Sequence, residues 1–223
     1  MENKLILGNC IEELDKLPDK SVDLIITDPP YVLDTVGGGF MKKREYKEEI
    51  RGISNGFDVE VLDKLVKVMK KINIYIWCSK SQIIELLDFF VDKHNCNWNL
   101  ITWHKTNPAP ACNNKYLSDT EYCLFFREKG VPIYGSYHTK KTYYVSPLNT
   151  KDKKKYNHPT IKPVEYIENF IVNSSSENDV VLDPFMGSGT TGVACKKLNR
   201  RFIGMEIDEN YFNTAKQRIS NGE

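Results

Sequence analysis

An apolar run, Val22-Asp23-Leu24-Ile25-Ile26-Thr27, ends on Asp28 and then on two consecutive prolines, Pro29 and Pro30. The run reads as a buried parallel strand. Neither proline has an N–H for the ladder, so the strand cannot continue through them, and the chain must leave the sheet with φ nearly fixed. The result is a stiff corner at the C-terminal edge of a strand, where open α/β sheets bind ligands. The corner carries one carboxylate, prolyl carbonyls without an N–H of their own, and the ring of Tyr31. Asp28 and the Pro29 carbonyl can accept both hydrogens of an exocyclic amine, and Tyr31 can stack on the flat ring that bears it. An ordinary strand-end turn with a capping Asp shares the tetrapeptide, so the rest of the chain has to separate the two readings.

That amine chemistry is specific. The amine of adenine or cytosine is a poor nucleophile because its lone pair is delocalised into the ring. Two acceptors on its hydrogens favour a pyramidal nitrogen and return the lone pair.

The surrounding pattern is that of a doubly wound sheet. Apolar runs at 5–7, 22–27, 74–78, 98–103, 121–127, 180–183 and 202–207 predict seven strands. Helical patterns at 10–17, 58–71, 81–94, 164–172, 190–198 and 209–219 fall between most of them. Such alternation predicts an α/β fold with a mostly parallel sheet. Two segments break the rhythm. Residues 33–57 hold Gly37-Gly38-Gly39 and a charged run, and read as a long loop after the corner, either a lid or plain surface. Residues 128–157 lack a period and are rich in Tyr, Lys and Pro.

The 223 residues suffice for one domain with a full core. The net charge of +1 excludes a general polycation, so any nucleic-acid surface must be a local cluster. The six cysteines form no C-x-x-C pair and predict buried thiols in a reducing compartment; the four histidines show no metal spacing, and no zinc site is expected. With no signal-peptide layout and no membrane-length apolar run, the expectation is a cytoplasmic protein.

A second site lies between a strand and a helix, at Asp183-Pro184-Phe185-Met186-Gly187-Ser188-Gly189-Thr190-Thr191-Gly192. Gly187, Gly189 and Gly192 match G-x-G-x-x-G, and Glu206 ends the next strand. Glycines permit close backbone approach and the carboxylate suits ribose hydroxyls, which is nucleoside-type geometry. The glycines alone would suggest a dinucleotide. Asp183, however, puts a carboxylate where an anionic pyrophosphate would lie, and no substrate domain follows. A ligand with a positive amino group and a sulfonium fits better.

Taken together, these motifs resemble the DNA amino-methyltransferases of the permuted β group, the N-4/N-6 DNA methylase family. Asp28-Pro29-Pro30-Tyr31 resembles their catalytic motif, and Asp183 to Thr190 resembles their S-adenosylmethionine loop, in the group's order. His158-Pro159-Thr160-Ile161-Lys162-Pro163 resembles the segment that helps hold the methionine end, and Phe202 to Asp208 the ribose-binding strand. Gly8-Asn9-Cys10 resembles the N-terminal G-D-C motif, with Asn9 in place of Asp, and Trp103-His104-Lys105 resembles the W-x-K segment. The matches span nearly the whole chain.

The resemblance implies the seven-stranded S-adenosylmethionine-dependent methyltransferase fold, circularly permuted, in a single domain over 1–223. The wiring would enter at the third strand, and 121–127 would be the antiparallel last strand. It implies Asp28, Pro29, Pro30 and Tyr31 as catalytic residues. It implies a cofactor set of Asn9, Cys10, Asp28, His158, Thr160, Lys162, Asp183, Pro184, Phe185, Gly187, Ser188, Gly189, Thr190, Glu206 and Ile207, with residues 158–223 as the cofactor-binding half. Residues 106–157 would form a short target recognition region. Between Arg127 and Asn157, eight basic residues stand against Glu128 and Asp152, with five tyrosines interleaved. Lys140, Lys141, Lys153, Lys154 and Lys155, together with Lys105, are therefore the expected contacts to double-stranded DNA. Within the family, Asp or Asn at the first motif position marks N6-adenine enzymes and Ser marks N4-cytosine enzymes, so Asp28 favours adenine. N4-cytosine transfer and a non-catalytic partner subunit remain the alternatives, the latter supported by Asn9. The resemblance also implies homodimers, which are common in the group, and a cognate restriction endonuclease.

Overall fold

The computed structural model describes residues 3–29, 59–108, 110, 114, 116–156 and 161–222. The strands are β1 (Lys4–Leu7), β2 (Leu24–Thr27), β3 (Asn73–Cys78), β4 (Asn97–Lys105), β5 (Thr120–Arg127), β6 (Tyr143–Ser146), β7 (Val180–Asp183) and β8 (Arg201–Glu206). They form one sheet in the order β1-β8-β7-β2-β3-β5-β4-β6. Strand β5 runs antiparallel to both neighbours, β3 and β4, while the other described pairings are parallel. The mixed α/β architecture is as the sequence pattern predicts, and the antiparallel 121–127 strand is as the resemblance implies.

The strand count differs from the expectation of seven. The eighth strand, β6, comes from the segment without a period. It pairs Thr102–Lys105 with Tyr143–Ser146, and only Tyr144 of its four residues is buried. A four-residue edge strand with one buried side chain has too little alternation to register in sequence.

Helices α1 (Cys10–Leu14), α2 (Val59–Val68) and α3 (Ile83–Leu87) cover one face; a 3-10 turn (Lys80–Gln82) and a π turn (Asp88–Lys93) extend α3. Their apolar stripes meet β2, β3 and β5 in a core that includes Leu14, Leu62, Leu65, Ile74, Phe90 and Phe126. On the other face lie α5 (Val164–Ser174), α6 (Thr190–Lys197) and α7 (Glu209–Asn221), packed through Phe170, Ile171, Val193, Ala215 and Ile219 against Tyr75, Trp77 and Phe202. The short α4 (Thr150–Lys155) precedes them and has no apolar residue. Every residue of β2, β3 and β7 is buried, the condition of parallel strands covered on both faces. The five described cysteines are likewise buried free thiols. Among the described residues no helix is long and apolar enough to cross a membrane.

From β7 the chain steps to β8 on one side, and from β2 it steps to β3 on the other. The order therefore reverses between β7 and β2. That gap is the crevice where open α/β sheets hold ligands.

Candidate active site

Asp28 and Asp183 stand on either side of this switch point, each at the C-terminal end of its strand. Glu206 ends the next strand along. Three neighbouring parallel strands thus present carboxylates at one edge.

The cofactor half is built locally. The Asp183 carboxylate accepts from the Phe185 N–H at 3.1 Å and the Thr191 hydroxyl at 2.6 Å. Burial pushes its carboxyl up to about 7; those two donors oppose the shift, while the neighbouring Asp28 and Glu206 charges add to it. Glu206 accepts from the N–H groups of Gly187 (2.9 Å), Ile207 (3.0 Å) and Asp208 (2.9 Å). Its carboxyl is also raised, again chiefly by burial. The glycines divide their work. Gly187, at φ +50°, turns its N–H to Glu206. Gly189 sits at φ +81°, where a Cβ would come within 2.9 Å of the Ala215 Cβ, and a Cβ on Gly192 would meet Ile219 Cδ1 at 2.4 Å. The last two glycines therefore let α7 close on α6. Pro184 and Ser188 are buried, Phe185 is half-buried, and Ile207 is exposed beside Glu206.

Asn9 caps α1: its Oδ1 accepts from the Ile11 N–H at 3.0 Å. Asn and Asp are equivalent caps, so this departure from the family pattern preserves the local structure. Cys10 follows it, buried, with its thiol pushed up to about 12 by burial. The Gly8 N–H pairs with the Glu206 carbonyl at 2.9 Å, which brings Asn9 to the cofactor edge.

The catalytic corner is built from distant parts of the chain. The Lys162 ammonium, 6% exposed, donates to Asp28 Oδ2 and lies 3.1 Å from Glu121 Oε2 and 4.8 Å from the centre of the Trp77 ring. Lys105 reaches Glu121 from the other side at 2.7 Å. Burial alone would lower the Lys162 ammonium, but Asp28 and Glu121 outweigh it and hold the charge on. For Glu121, burial pushes the carboxyl up, yet the two ammonium groups prevail and keep it at about 2. Asp28, Lys162, Glu121 and Lys105 form a chain of alternating charges under the corner.

Several expected residues thus move in meaning. Lys162, expected at the methionine end, sits on Asp28. Lys105, expected at DNA, is 15% exposed in its side chain and committed to Glu121. Lys153 is half-buried, its ammonium lowered by burial and felt by Glu121, Lys105 and Lys162; Lys154 lies in the same helix. Lys155 is exposed over the Tyr156 ring at 5.0 Å. Lys140 and Lys141 line an open concavity with Tyr137, Thr142 and Tyr143. Pro30, Tyr31, the 33–57 loop, His158 and Thr160 lie outside the described residues. Sequence reading missed Glu121, although its signal was present: a carboxylate opening an apolar strand must be paired if the strand is buried.

The acid-rich edge fits a cationic nucleoside ligand. Buried Asp183 carries a raised pKa that a positive group would relieve, Glu206 suits hydroxyl donors, and Ile207 offers an apolar surface for a flat ring.

Comparisons with known proteins agree. Residues 22–217 match the N6_N4_Mtase family, described as DNA methylase. The type II methyltransferase M2.LlaDCHI of Lactococcus lactis subsp. cremoris is 32% identical over 246 residues, covering 98% of this chain and 89% of the relative. The type II methyltransferase M2.DpnII of Streptococcus pneumoniae is 33% identical over 243 residues, covering 98% and 90%. Among solved structures, the M1.HpyAVI–SAM complex aligns with TM-score 0.69 and 30% identity over 97% of this chain and all of that one. The cytosine-N4-specific PvuII DNA methyltransferase aligns with TM-score 0.73 over 100% of this chain and 94% of its own, but at 17% identity it speaks for the fold alone.

Proposed function

This chain belongs to the N6/N4 family of S-adenosylmethionine-dependent DNA methylases, and on that premise we propose that it methylates the exocyclic N6 of adenine within a specific sequence of double-stranded DNA. The observation that carries the reading is Asp28: a carboxylate at the switch point, one strand from the acid-rich cofactor edge and held in place by Lys162.

S-adenosylmethionine supplies the methyl group, as a sulfonium. Asp183, Glu206, the 187–190 loop, Asn9 and Ile207 hold that cofactor. Asp28 and the Pro29 carbonyl accept the hydrogens of the target amine, and Tyr31 stacks on the base. The base must leave the duplex to reach the corner, a cost of a few kcal/mol that stacking offsets. Alignment of amine and methyl for direct in-line transfer supplies much of the rate gain. No covalent enzyme intermediate is required, and the described cysteines are buried and unsuited to attack. Asp28 in place of Ser supports adenine over cytosine. Residues 106–157, with their basic residues, β6 and α4, serve as the target recognition region, and 158–223 as the cofactor half. The type II relatives support a restriction–modification setting with a cognate endonuclease, in the cytoplasm. We further take the active form to be a homodimer, by analogy with the group.

Incubating unmodified genomic DNA with protein and cofactor, followed by mass spectrometry of the nucleosides, tests the function. N6-methyladenine is expected. N4-methylcytosine as the main product would overturn the base assignment, and no modified base would leave the protein a binding module.

A further inference from the structure

Arg218, near the end of α7, is 2% exposed, and nothing in the chemistry above uses it. A guanidinium stays charged, so burying it demands partners. They come from two parts of the chain. On one side Nη1 donates to Thr190 Oγ1 at 3.0 Å, Ser188 Oγ at 3.2 Å and the Ser188 carbonyl at 3.3 Å. On the other, Cζ lies 4.4 Å from the centre of the Tyr156 ring. Burial lowers the affinity of Arg218 for its proton, and Tyr156 and the Asp152 charge act against that loss.

Ser188 and Thr190 belong to the cofactor loop. Asp152 lies in α4 and Tyr156 caps its C-terminus. In the same helix Lys153 is half-buried, and burial lowers its ammonium. Helix α4 is therefore linked to the cofactor loop through Arg218. Having no apolar residue, it cannot be seated by a hydrophobic stripe. The Asn149 side chain caps its N-terminus, accepting from the Asp152 N–H at 3.3 Å, and the Arg218–Tyr156 stack ties its C-terminal end to α7.

We propose that Arg218 is a positioning residue that couples the cofactor loop to α4, so that cofactor binding and DNA binding strengthen each other. This rests on the assignment of 183–190 to the cofactor and of the α4 region to DNA. A ligand that settles Ser188 and Thr190 also settles Arg218, which settles Tyr156 and with it helix α4. Coupling of this kind is reciprocal.

The test uses the full chain, a labelled duplex that the wild type methylates, and sinefungin as a non-reactive cofactor analogue. For the wild type, saturating sinefungin should tighten duplex binding about fivefold or more, measured by anisotropy. In Tyr156→Leu the tightening should fall below about twofold. Its sinefungin Kd without DNA, by calorimetry, should stay within about twofold of wild type, because Ser188 and Thr190 keep their contacts. Asp152→Asn, a half-buried and conservative change, should lower the tightening in the same direction, and it guards against a folding defect in Tyr156→Leu. Wild-type tightening retained in both variants, or absent from the wild type itself, overturns the coupling. A wild type that methylates no DNA at all overturns the functional reading instead, so the two failures are distinguishable.

Discussion

The two halves of the site are built in opposite ways. In the cofactor half, Gly187 and its carboxylate partner Glu206 are 19 residues apart, inside one strand–helix–strand unit. At the catalytic corner, Asp28 and Lys162 are 134 residues apart, and Glu121 and Lys105 join them from strands β5 and β4. The first half is held by backbone N–H groups that any folded βαβ unit supplies. The second is held by ions that meet only when the whole sheet has closed. A local site tolerates change at a distance; a site assembled from four segments transmits it. Breaking one member of a buried ion set leaves its partner uncompensated, which costs far more than an exposed pair would.

The largest effects should therefore fall on the corner and spare the cofactor half. Asp28→Ala should reduce the single-turnover methylation rate to less than about a tenth of wild type, with cofactor affinity within a few fold, because it removes one acceptor and its orientation. Glu121→Gln should also lower the rate, by up to about a hundredfold, although Glu121 reaches Asp28 only through Lys162. It releases Lys162, and with it the position of Asp28. A Glu121→Gln rate within twofold of wild type would show that the corner stands without its ion set.

This contrast also explains what the sequence made legible. The strand ends at Asp28, Asp183 and Glu206, the glycine loop and the alternation of elements are all local patterns, and each was readable. The Asp28–Lys162–Glu121 contacts were not, because nothing in a sequence says which lysine will reach which carboxylate across a sheet. Strand β6 and helix α4 escaped for a different reason: Tyr143–Ser146 buries only Tyr144 and Thr150–Lys155 has no apolar residue, so their structure follows from tertiary partners, β4 for one and Arg218 for the other. The G-x-G-x-x-G match was readable, and what it did not reveal is that the missing Cβ atoms of Gly189 and Gly192 make room for α7.

A middle-sized effect sharpens the comparison on the cofactor side. The Asp183 carboxyl titrates at about 7, raised by burial, against about 4 in an unfolded chain. The folded ligand-free protein thus holds a proton through the window from about 4 to 7 that the unfolded chain has lost, so this group makes stability fall as pH rises through that window and level off above it. A cationic cofactor prefers the ionised carboxylate. Its affinity should rise with pH and plateau above 7, about tenfold weaker at pH 6 than at pH 8. Calorimetric titration at the two pH values checks this. Asp183→Asn should bind more weakly at pH 8 and lose the pH dependence; a wild-type affinity that is flat from pH 6 to 8 would show that Asp183 does not face the cofactor's charge.

The smallest effect concerns the lysines outside both halves, and it separates two kinds of positive charge. Lys140 and Lys141 line an open concavity with Tyr137 and Tyr143, residues that are 87% and 60% exposed, so they have the mixture of cation and aromatic face that backbone contact uses. Lys153 is instead half-buried, with burial lowering its ammonium and the Glu121 charge acting against that loss. Phosphate contacts release counterions, and each one lost makes the plot of log affinity against log salt shallower by about 0.9. Replacing Lys140 and Lys141 together with Ala should flatten the plot by about two units while leaving the single-turnover rate on bound DNA unchanged. Lys153→Ala should do the reverse, lowering that rate with little change in slope. If Lys153→Ala flattens the plot as much as the double variant and spares the rate, then Lys153 is a phosphate ligand like the others, and the ion set that distinguishes the catalytic corner ends at Lys105.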